Sequence, residues 1–178
     1  MVNCNFLKNK SILITGGTGS IGSALVKFLI KTRCKVIRVM TNDENGLYEL
    51  ARDLNVKSFG KDSFSKDMQI NKIRFFLGDV RDFKRCKEVT RNVDIVIHAA
   101  ALKHVSIVEY NPKEAFQTNV IGTRNMIKAS ITNKVSKFLL MSTDKVVSPT
   151  NIMGKTKLKA EKIIKKLKKN TSTKVSII

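Results

Sequence analysis

The sequence contains no tryptophan, few aromatic residues and only 14 acidic residues against 34 basic ones, which gives a formal net charge of +20. Lysine-rich surfaces attract polyanions, but faces that bind nucleic acid usually interleave aromatic side chains with their charges. Aromatic residues make up 6% of this chain, and it carries no nucleic-acid-binding motif. We therefore interpret the excess lysines as solvated surface residues and expect no nucleic-acid partner.

Cysteine is also scarce, and long apolar runs are absent. Cys4, Cys34 and Cys86 are odd in number and widely spaced, without a CxxC pair or a metal-ligand spacing. They are typical of reduced thiols, and we expect no metal site. No apolar run approaches the roughly 18 residues that a membrane span needs, and the polar first ten residues do not resemble a signal peptide. We expect a cytoplasmic protein with no membrane span.

What the chain does have is an alternation of short apolar runs with longer amphipathic stretches, which is typical of a parallel α/β sheet. Strands are predicted at residues 11–15, 35–40, 73–77, 94–99, 136–142 and 174–178. Helices are predicted at residues 20–31, 44–54, 112–131 and 152–169, and a loop at 57–71. We expect a Rossmann-type doubly wound α/β fold, with residues 1–178 forming a single dinucleotide-binding domain. The last predicted strand runs to the end of the sequence, so we expect the chain to be truncated.

A glycine-rich run, TGGTGSIG at residues 15–22, follows the first predicted strand and opens the first predicted helix. Gly16 permits the tight turn, Gly19 lets the backbone approach a pyrophosphate, and Gly22 lets the helix pack on the sheet. The N-terminus of the helix then supplies free N–H groups and a partial positive charge. This context predicts a dinucleotide cofactor.

The choice between NAD and NADP stays open in the sequence. Asp43 lies just after the second predicted strand, where an acidic residue favours the unmodified ribose of NAD. Arg33, Lys35 and Lys61 could instead serve a 2′-phosphate.

Polar residues also follow the third and fourth predicted strands. Asp79 could accept a hydrogen bond from the adenine amino group, whereas Asp82 fits better as a helix cap. His98 is interpreted as a satisfied strand-end residue rather than a catalyst, and the small residues after it leave room for a cofactor. Lys103 and His104 could either meet phosphates or remain solvated.

The run Ser142-Thr143-Asp144-Lys145 ends the fifth predicted strand, and Lys157 lies on the helix that follows. An aspartate and a lysine in a dry site can be tuned towards neutral pKa values, which suits acid and base catalysis. Such a site usually has a tyrosine four positions before the helical lysine, but Met153 stands there. The tyrosines of the chain, Tyr48 and Tyr110, lie elsewhere.

With these motifs in register, the chain resembles the extended short-chain dehydrogenase/reductases, and among them the polysaccharide-biosynthesis nucleotide-sugar 4,6-dehydratases that act on UDP-N-acetylglucosamine. The resemblance lies in TGGTGSIG (15–22), GDVRD (78–82), HAAALKHVSIVEY (98–110), NP (111–112), TNVIGT (118–123) and STDK (142–145) through Pro149, Asn151 and Met153-Gly154 to Lys157. The STDK run is the most specific of these. The chain departs from the family pattern in two ways. Methionine replaces the usual tyrosine at position 153, as it does in some subgroups of the family. Sequences of the family also continue beyond the last predicted strand, and that further segment forms most of the sugar-nucleotide pocket.

Members of that family oxidise carbon 4 of the sugar, eliminate water across carbons 5 and 6, and return the hydride to carbon 6. The resemblance implies that Asp144 is the acid and Lys145 the base. It implies that Lys157 orients the nicotinamide ribose and that Thr143 or Ser142 holds the carbon 4 hydroxyl. Because Met153 cannot take a proton, our hypothesis is that Lys145 or an ordered water deprotonates that hydroxyl.

The expected function is therefore NAD- or NADP-dependent dehydration of UDP-N-acetylglucosamine to a 4-keto-6-deoxy sugar nucleotide for surface polysaccharide biosynthesis, by a homo-oligomer when complete. The alternatives are a non-catalytic NAD(P)-binding module and a nucleotide-sugar 4-epimerase. The expected catalytic positions are Thr143, Asp144, Lys145, Met153 and Lys157. The expected cofactor-binding residues are Gly16, Thr18, Gly19, Ser20, Ile21, Gly22, Asp43, Asp79, Val80, Ala99, Ala100, Ala101, Lys103, Asn119 and Lys157.

Overall fold

The computed structural model describes residues 4–56, 70–167 and 171–178, and these include a six-stranded parallel sheet. The strands are β1 (Ser11–Thr15), β2 (Val36–Thr41), β3 (Ile73–Leu77), β4 (Ile95–His98), β5 (Lys137–Leu140) and β6 (Lys174–Ile177). Their order is β3-β2-β1-β4-β5-β6, and all adjacent pairs are parallel. The order reverses between β1 and β4, which confirms the predicted Rossmann-type fold.

Helices cover both faces of this sheet. They are α1 (Ser20–Ile30), α2 (Glu44–Asp53), α3 (Phe83–Val89), α4 (Val105–Tyr110), α5 (Pro112–Ala115), α6 (Thr123–Thr132) and α7 (Ile152–Leu167), with a π-helical segment (Phe116–Gly122) between α5 and α6. Residues 57–69 of the predicted loop and the end of the last predicted helix lie outside the described residues.

Alternate residues of each strand face opposite sides of the sheet, as its two-residue period requires. Ile12 and Ile14 of β1 belong to the apolar cluster that includes residues of α1 and α2. Leu13 belongs to the cluster on the other face, with residues of α3, α6 and α7. Because both faces are covered, the middle strands are almost wholly apolar, which made them easy to recognise in the sequence.

The structure corrects the prediction at three helices. Helix α3 was anticipated only through Asp82 as its cap, without bounds, and α4 was not predicted; they have seven and six residues and bury only two and one of them, which leaves little periodic signal. The single helix predicted at residues 112–131 is interrupted by the π-helical segment. Strands β4 and β5 are also shorter than predicted, with four residues each.

Candidate dinucleotide cleft and catalytic loop

A cleft of about 260 Å³ opens beyond the carboxyl ends of the central strands, where the strand order reverses. This is the position at which doubly wound sheets bind their ligands. The lining comes from the loops after β1, β2, β3 and β4, the first turn of α1, the end of β2 and the π-helical segment. It consists of Gly16, Thr18, Gly19, Ser20, Ile21, Gly22, Met40, Thr41, Asn42, Gly78, Asp79, Val80, Ala99, Ala100, Ala101, Leu102, Lys103 and Thr118.

The glycine-rich loop forms the floor of this cleft with backbone atoms. Gly16 has a φ of +65°, and a Cβ there would lie 2.7 Å from the Cα of Ala100. A Cβ at Gly22 would collide with the carbonyl oxygen of Gly16. Helix α1 begins after Gly19 with no side-chain cap and no acidic residue in its first turn. Its first N–H groups therefore remain available to an anion, so the loop fits a dinucleotide pyrophosphate.

Among the residues at the end of β2, Asp43 differs from Thr41 and Asn42 because it does not line the cleft. Thr41 and Asn42 line the cleft, whereas Asp43 is absent from the lining and caps α2, its Oδ1 accepting from the N–H of Gly46 at 2.9 Å. Thr18 and Thr41 are joined by a hydrogen bond between their hydroxyls at 3.2 Å. Arg33 and Lys35 do not line the cleft, and Lys61 lies outside the described residues.

At the end of β3, Asp79 lines the cleft and binds Arg81. Its carboxylate accepts from the backbone N–H and from Nε of Arg81, both at 2.8 Å, and Arg81 also binds Glu114 at 2.7 Å. Burial raises the pKa of Asp79, but the hydrogen bonds and charge of Arg81 outweigh it and lower that pKa overall. Asp82 caps α3 through the N–H of Arg85, as predicted.

His98, at the end of β4, is fully buried and confirms the prediction of a satisfied strand-end residue. Its Nδ1 lies 2.6 Å from the hydroxyl of Thr15, and its Nε2 lies 3.0 Å from the hydroxyl of Thr123. Because Thr123 donates its own proton to the carbonyl of Asn119, Nε2 must donate to Thr123, and in a neutral ring Nδ1 then accepts from Thr15. Burial, with a smaller effect of the Lys157 charge, lowers the pKa of His98 to about 3.

Asn119, in the π-helical segment, fixes the loop that forms one wall of the cleft. Its Oδ1 accepts from the N–H of Leu102 at 2.8 Å, and its Nδ2 donates to the carbonyl of Leu102 and to the hydroxyl of Thr156, each at 3.0 Å. The side chain thus joins the loop after β4 to α7. Lys103, beside Leu102, lines the cleft, and His104 is exposed.

The candidate catalytic loop follows β5 and is exposed at its tip. Thr143 donates to Asp144 at 2.9 Å, and both Asp144 and Lys145 are exposed. The hydrogen bond from Thr143, and then the charge of Lys145, lower the pKa of Asp144. We expected a dry site that tunes this pair towards neutral pKa values; the described residues instead leave the pair in water, where the carboxylate stays ionised.

Lys157, on α7, is buried behind this loop and is only 8% exposed. Its Nζ donates to the carbonyl of Met141 at 2.5 Å. Burial lowers the pKa of Lys157 to about 8, against the opposing charge of Glu161. Glu161 also accepts from Ser142 at 2.6 Å. Sequence reasoning missed Glu161, although its spacing of four residues from a helical lysine was an available signal.

Met153 lies one turn before Lys157, yet it is buried in an apolar cluster with Val108 and Ala115. The structure thus places this position, which we counted among the catalytic ones, in an apolar cluster. A thioether has no proton to exchange, and here it packs α7 against α4 and α5.

The described residues carry few other candidate sites. No group of three or more metal-ligating side chains is found among residues 4–56, 70–167 and 171–178, and the three cysteines are free thiols. None of the helices in these ranges combines the length and apolar character needed to cross a bilayer.

The sequence profile of the polysaccharide biosynthesis protein family matches residues 12–178. The chain belongs to this family, which confirms the resemblance.

An uncharacterized membrane protein of Methanocaldococcus jannaschii is 51% identical over 159 residues, 89% of this chain and 44% of that protein. A UDP-N-acetylglucosamine 4,6-dehydratase (inverting) of Campylobacter jejuni is 42% identical over 155 residues, 86% of this chain and 42% of that protein. A UDP-glucose 4-epimerase of Rickettsia akari is 40% identical over 163 residues, 87% of this chain and 42% of that protein.

Solved structures share the fold. Pen from Bacillus thuringiensis is 38% identical, with a TM-score of 0.85 over 97% of this chain and 50% of that chain. A double mutant of the dTDP-glucose 4,6-dehydratase of Streptomyces venezuelae, with NAD and DAU bound, is 21% identical, with a TM-score of 0.80 over 93% of this chain and 54% of that chain. The chain thus spans about half the length of the relatives it matches.

Proposed function

We propose that the chain is the dinucleotide-binding domain of a nucleotide-sugar 4,6-dehydratase that acts on UDP-N-acetylglucosamine with a nicotinamide cofactor. The observation that carries this proposal is the Thr143-Asp144-Lys145 run at the carboxyl end of β5, in the same row of strand ends as the dinucleotide cleft. Elimination of water needs both an acid and a base, whereas a domain that only binds a cofactor needs neither. The Campylobacter jejuni relative, named as a dehydratase, supports the assignment.

In this proposal the glycine-rich loop holds the pyrophosphate on the N-terminus of α1. The bound nicotinamide supplies hydride acceptance and return, so the reaction is redox-neutral overall. Thr143 hydrogen-bonds to the carbon 4 hydroxyl, and Lys157 positions the nicotinamide ribose. Lys145 removes the proton from carbon 5, and Asp144 protonates the hydroxyl that leaves carbon 6 as water. Because Met153 cannot accept the carbon 4 hydroxyl proton, that proton goes to an ordered water, or to Lys145 if Lys145 passes it to solvent before it takes the proton from carbon 5.

The exposed catalytic loop sets a condition on this mechanism. As an acid, Asp144 must be protonated, yet its pKa is lowered where it lies in water. Burial raises a carboxyl pKa because it disfavours the charged form. We infer that the bound sugar, and the part of the relatives' length that this chain does not span, bury Asp144 during the reaction.

A 4-epimerase is the second candidate, supported by the Rickettsia akari relative. Epimerisation also begins with oxidation at carbon 4, but it eliminates no water and gives Asp144 no acid role. The buried Met153 offers no hydroxyl in place of the usual tyrosine, and this affects both reactions equally because both oxidise carbon 4. We rank the dehydratase first because only that reaction gives Asp144 a role as an acid.

The two candidates differ in product mass. The test is a chimera in which this chain replaces the matching segment of the Campylobacter jejuni dehydratase, incubated with UDP-N-acetylglucosamine and followed by mass spectrometry. We expect loss of one water without net cofactor reduction. A product of unchanged mass but altered sugar stereochemistry by NMR would favour the epimerase.

Lys145→Ala in the chimera removes the proposed base, and we expect product formation to fall by at least about a hundredfold. Lys162→Ala, which removes an exposed lysine from α7, is the matched control and should retain activity. Turnover by Lys145→Ala at the rate of the control would refute the role of Lys145.

A further inference from the structure

Two side chains of α7 bind consecutive residues at the end of β5. Lys157 donates from Nζ to the carbonyl of Met141 at 2.5 Å, and Glu161 accepts from the hydroxyl of Ser142 at 2.6 Å. Lys157 and Glu161 are four residues apart, so they are neighbours on the same face of the helix. The hydrogen bond from Ser142 thus fixes the Glu161 carboxylate beside the segment that Lys157 contacts, immediately before Thr143 and the candidate catalytic loop.

The carboxylate of Glu161 lies in the interior, where the residue is only 7% exposed. Acidic side chains are almost never buried unless their charge is paired. One oxygen of Glu161 lies 3.2 Å from the ammonium of Lys165, but the side chain of Lys165 is 64% exposed, and an ion pair so open to water contributes little. This surface pair alone does not account for a carboxylate at this depth.

The buried group that complements Glu161 is the ammonium of Lys157. Burial lowers the pKa of Lys157 to about 8, and the charge of Glu161 opposes this change. The hydrogen-bond partner of the ammonium, the carbonyl of Met141, carries no formal charge. Glu161 is therefore the negative charge, one helical turn away, that favours the protonated form of Lys157 near neutral pH.

In the described part of the chain, the other ionisable groups around α7 are neutral or exposed. His98 of β4 is buried, and its pKa of about 3 leaves the ring neutral. Glu109 of α4 is exposed and accepts from the N–H of Ile152 at the start of α7. The remaining lysines of α7 are exposed, as are the ionisable residues of the neighbouring elements: Lys113, Glu114, Arg124, Lys128, Asp144 and Lys145.

We propose that Glu161 is a positioning residue for Lys157: its anchored carboxylate supplies the charge that holds the buried ammonium in place. This role rests on the proposed function, in which Lys157 positions the nicotinamide ribose. A charged donor forms hydrogen bonds roughly twice as strong as a neutral one. Lys157 therefore binds both the Met141 carbonyl and the ribose most tightly while it is protonated.

The first test follows the protonation of Lys157 in the purified chain without a cofactor, by NMR of isotope-labelled lysine side chains over a series of pH values. The signal that Lys157→Arg removes identifies the residue. We expect a titration midpoint of about 8 in the unaltered chain. Glu161→Gln removes the charge but keeps an acceptor for Ser142, and its midpoint should be lower by at least about one pH unit.

Two further variants control this titration. Glu161→Asp keeps the charge and should restore most of the difference. Glu49→Gln makes the same charge change on an exposed position of α2 and should leave the midpoint of Lys157 unaltered. An unchanged midpoint in a folded Glu161→Gln chain would overturn the inference.

The second test is calorimetric titration with NAD over the same series of pH values. NAD affinity should fall as the pH rises through the midpoint of Lys157, so the fall should begin at least about one pH unit lower in Glu161→Gln than in the unaltered chain. Towards acidic pH the two affinities should converge. A loss of affinity that is equal at every pH would indicate structural damage and would overturn the inference. No binding of NAD by the unaltered chain would refute the proposed function, whereas the NMR titration would still decide whether Glu161 acts on Lys157.

A double-mutant cycle covers the case in which Glu161→Gln does not fold. If Glu161 balances the charge of Lys157, Glu161→Gln should lower the urea midpoint of the unaltered chain but hardly change that of Lys157→Met, which has no ammonium to balance. Equal losses in both backgrounds, or unfolding of both, would mean that Glu161 supports the fold independently of Lys157, and the inference would be wrong.

Discussion

The glycine-rich loop and the loop after β5 lie at the carboxyl edge of the same sheet, yet they are built on different principles. The first presents backbone atoms in a conformation fixed by close contacts, as at Gly16 and Gly22. The second presents side chains, and those of Asp144 and Lys145 are exposed. The comparison shows a cleft with a rigid backbone floor on one side and an exposed side-chain pair on the other.

This difference determines what can damage each region. Backbone N–H groups have no titratable state, so the first loop is sensitive to added atoms and insensitive to pH. The second loop depends instead on the chemistry of individual side chains, because Asp144 and Lys145 are exposed at its tip. The predictions below use this contrast, starting with the largest expected effect on the folded chain.

Gly16→Ala should strongly damage the glycine-rich loop, because it combines backbone strain with a steric clash. It forces a Cβ onto a residue with φ of +65° and within 2.7 Å of backbone atoms of Ala100. We expect a loss of about 2–4 kcal/mol in the free energy of unfolding, measured in urea, and NAD affinity lowered by at least about tenfold. Gly19→Ala is the control for stability, because its Cβ would come no closer than 3.4 Å to a neighbour. Equal unfolding midpoints for the two variants would contradict the steric argument.

The sequence predicted the first loop far better than the second. The order of glycines between a strand and a helix determines the loop geometry locally, so residues 15–22 sufficed for it. The surroundings of Met153 and Asp144 depend on chain segments distant in sequence. Met153 is buried by α4 and α5, and α4 was not predicted because a six-residue helix with one buried side chain has no detectable period. Burial of a site by tertiary packing cannot be derived from the spacing of its residues.

Lys157 lies behind the loop after β5, where its Nζ binds the carbonyl of Met141, and we expect its burial to lower the stability of the fold. Its ammonium is buried, so the protein keeps a charge that the interior disfavours. We expect Lys157→Met to raise the free energy of unfolding at pH 7 by about 1–3 kcal/mol and to weaken NAD binding. Lys162→Met, on the exposed face of the same helix, is the control and should change neither quantity.

The gain in free energy of unfolding that we expect from Lys157→Met should depend on pH. The pKa of Lys157 is about 8 in the folded chain, against 10.5 for an unperturbed lysine. Between these values the unfolded chain holds more protons, so the stability of the unaltered protein rises with pH. Below pH 8 both states are protonated and the full cost remains. The difference between the two proteins in urea should thus be largest below pH 8 and shrink towards pH 10.5. If the difference in free energy of unfolding did not change with pH, it would arise from packing of the methionine side chain and not from burial of the lysine charge.

Asp144→Asn should have the smallest effect on the folded chain and still abolish the proposed reaction. Asp144 is exposed, and its polar contacts are with its neighbours Thr143 and Lys145, so thermal unfolding of the variant should match that of the unaltered chain. In the chimera with the Campylobacter jejuni dehydratase, however, an amide cannot protonate the departing hydroxyl, and product formation should fall by at least about a hundredfold. If the chimera were an epimerase, Asp144→Asn should leave its rate of product formation nearly unchanged, because epimerisation has no leaving group to protonate. Unchanged stability with lost dehydration would separate the two regions, because it would assign chemistry to the loop after β5 and leave the support of the fold to the glycine-rich loop.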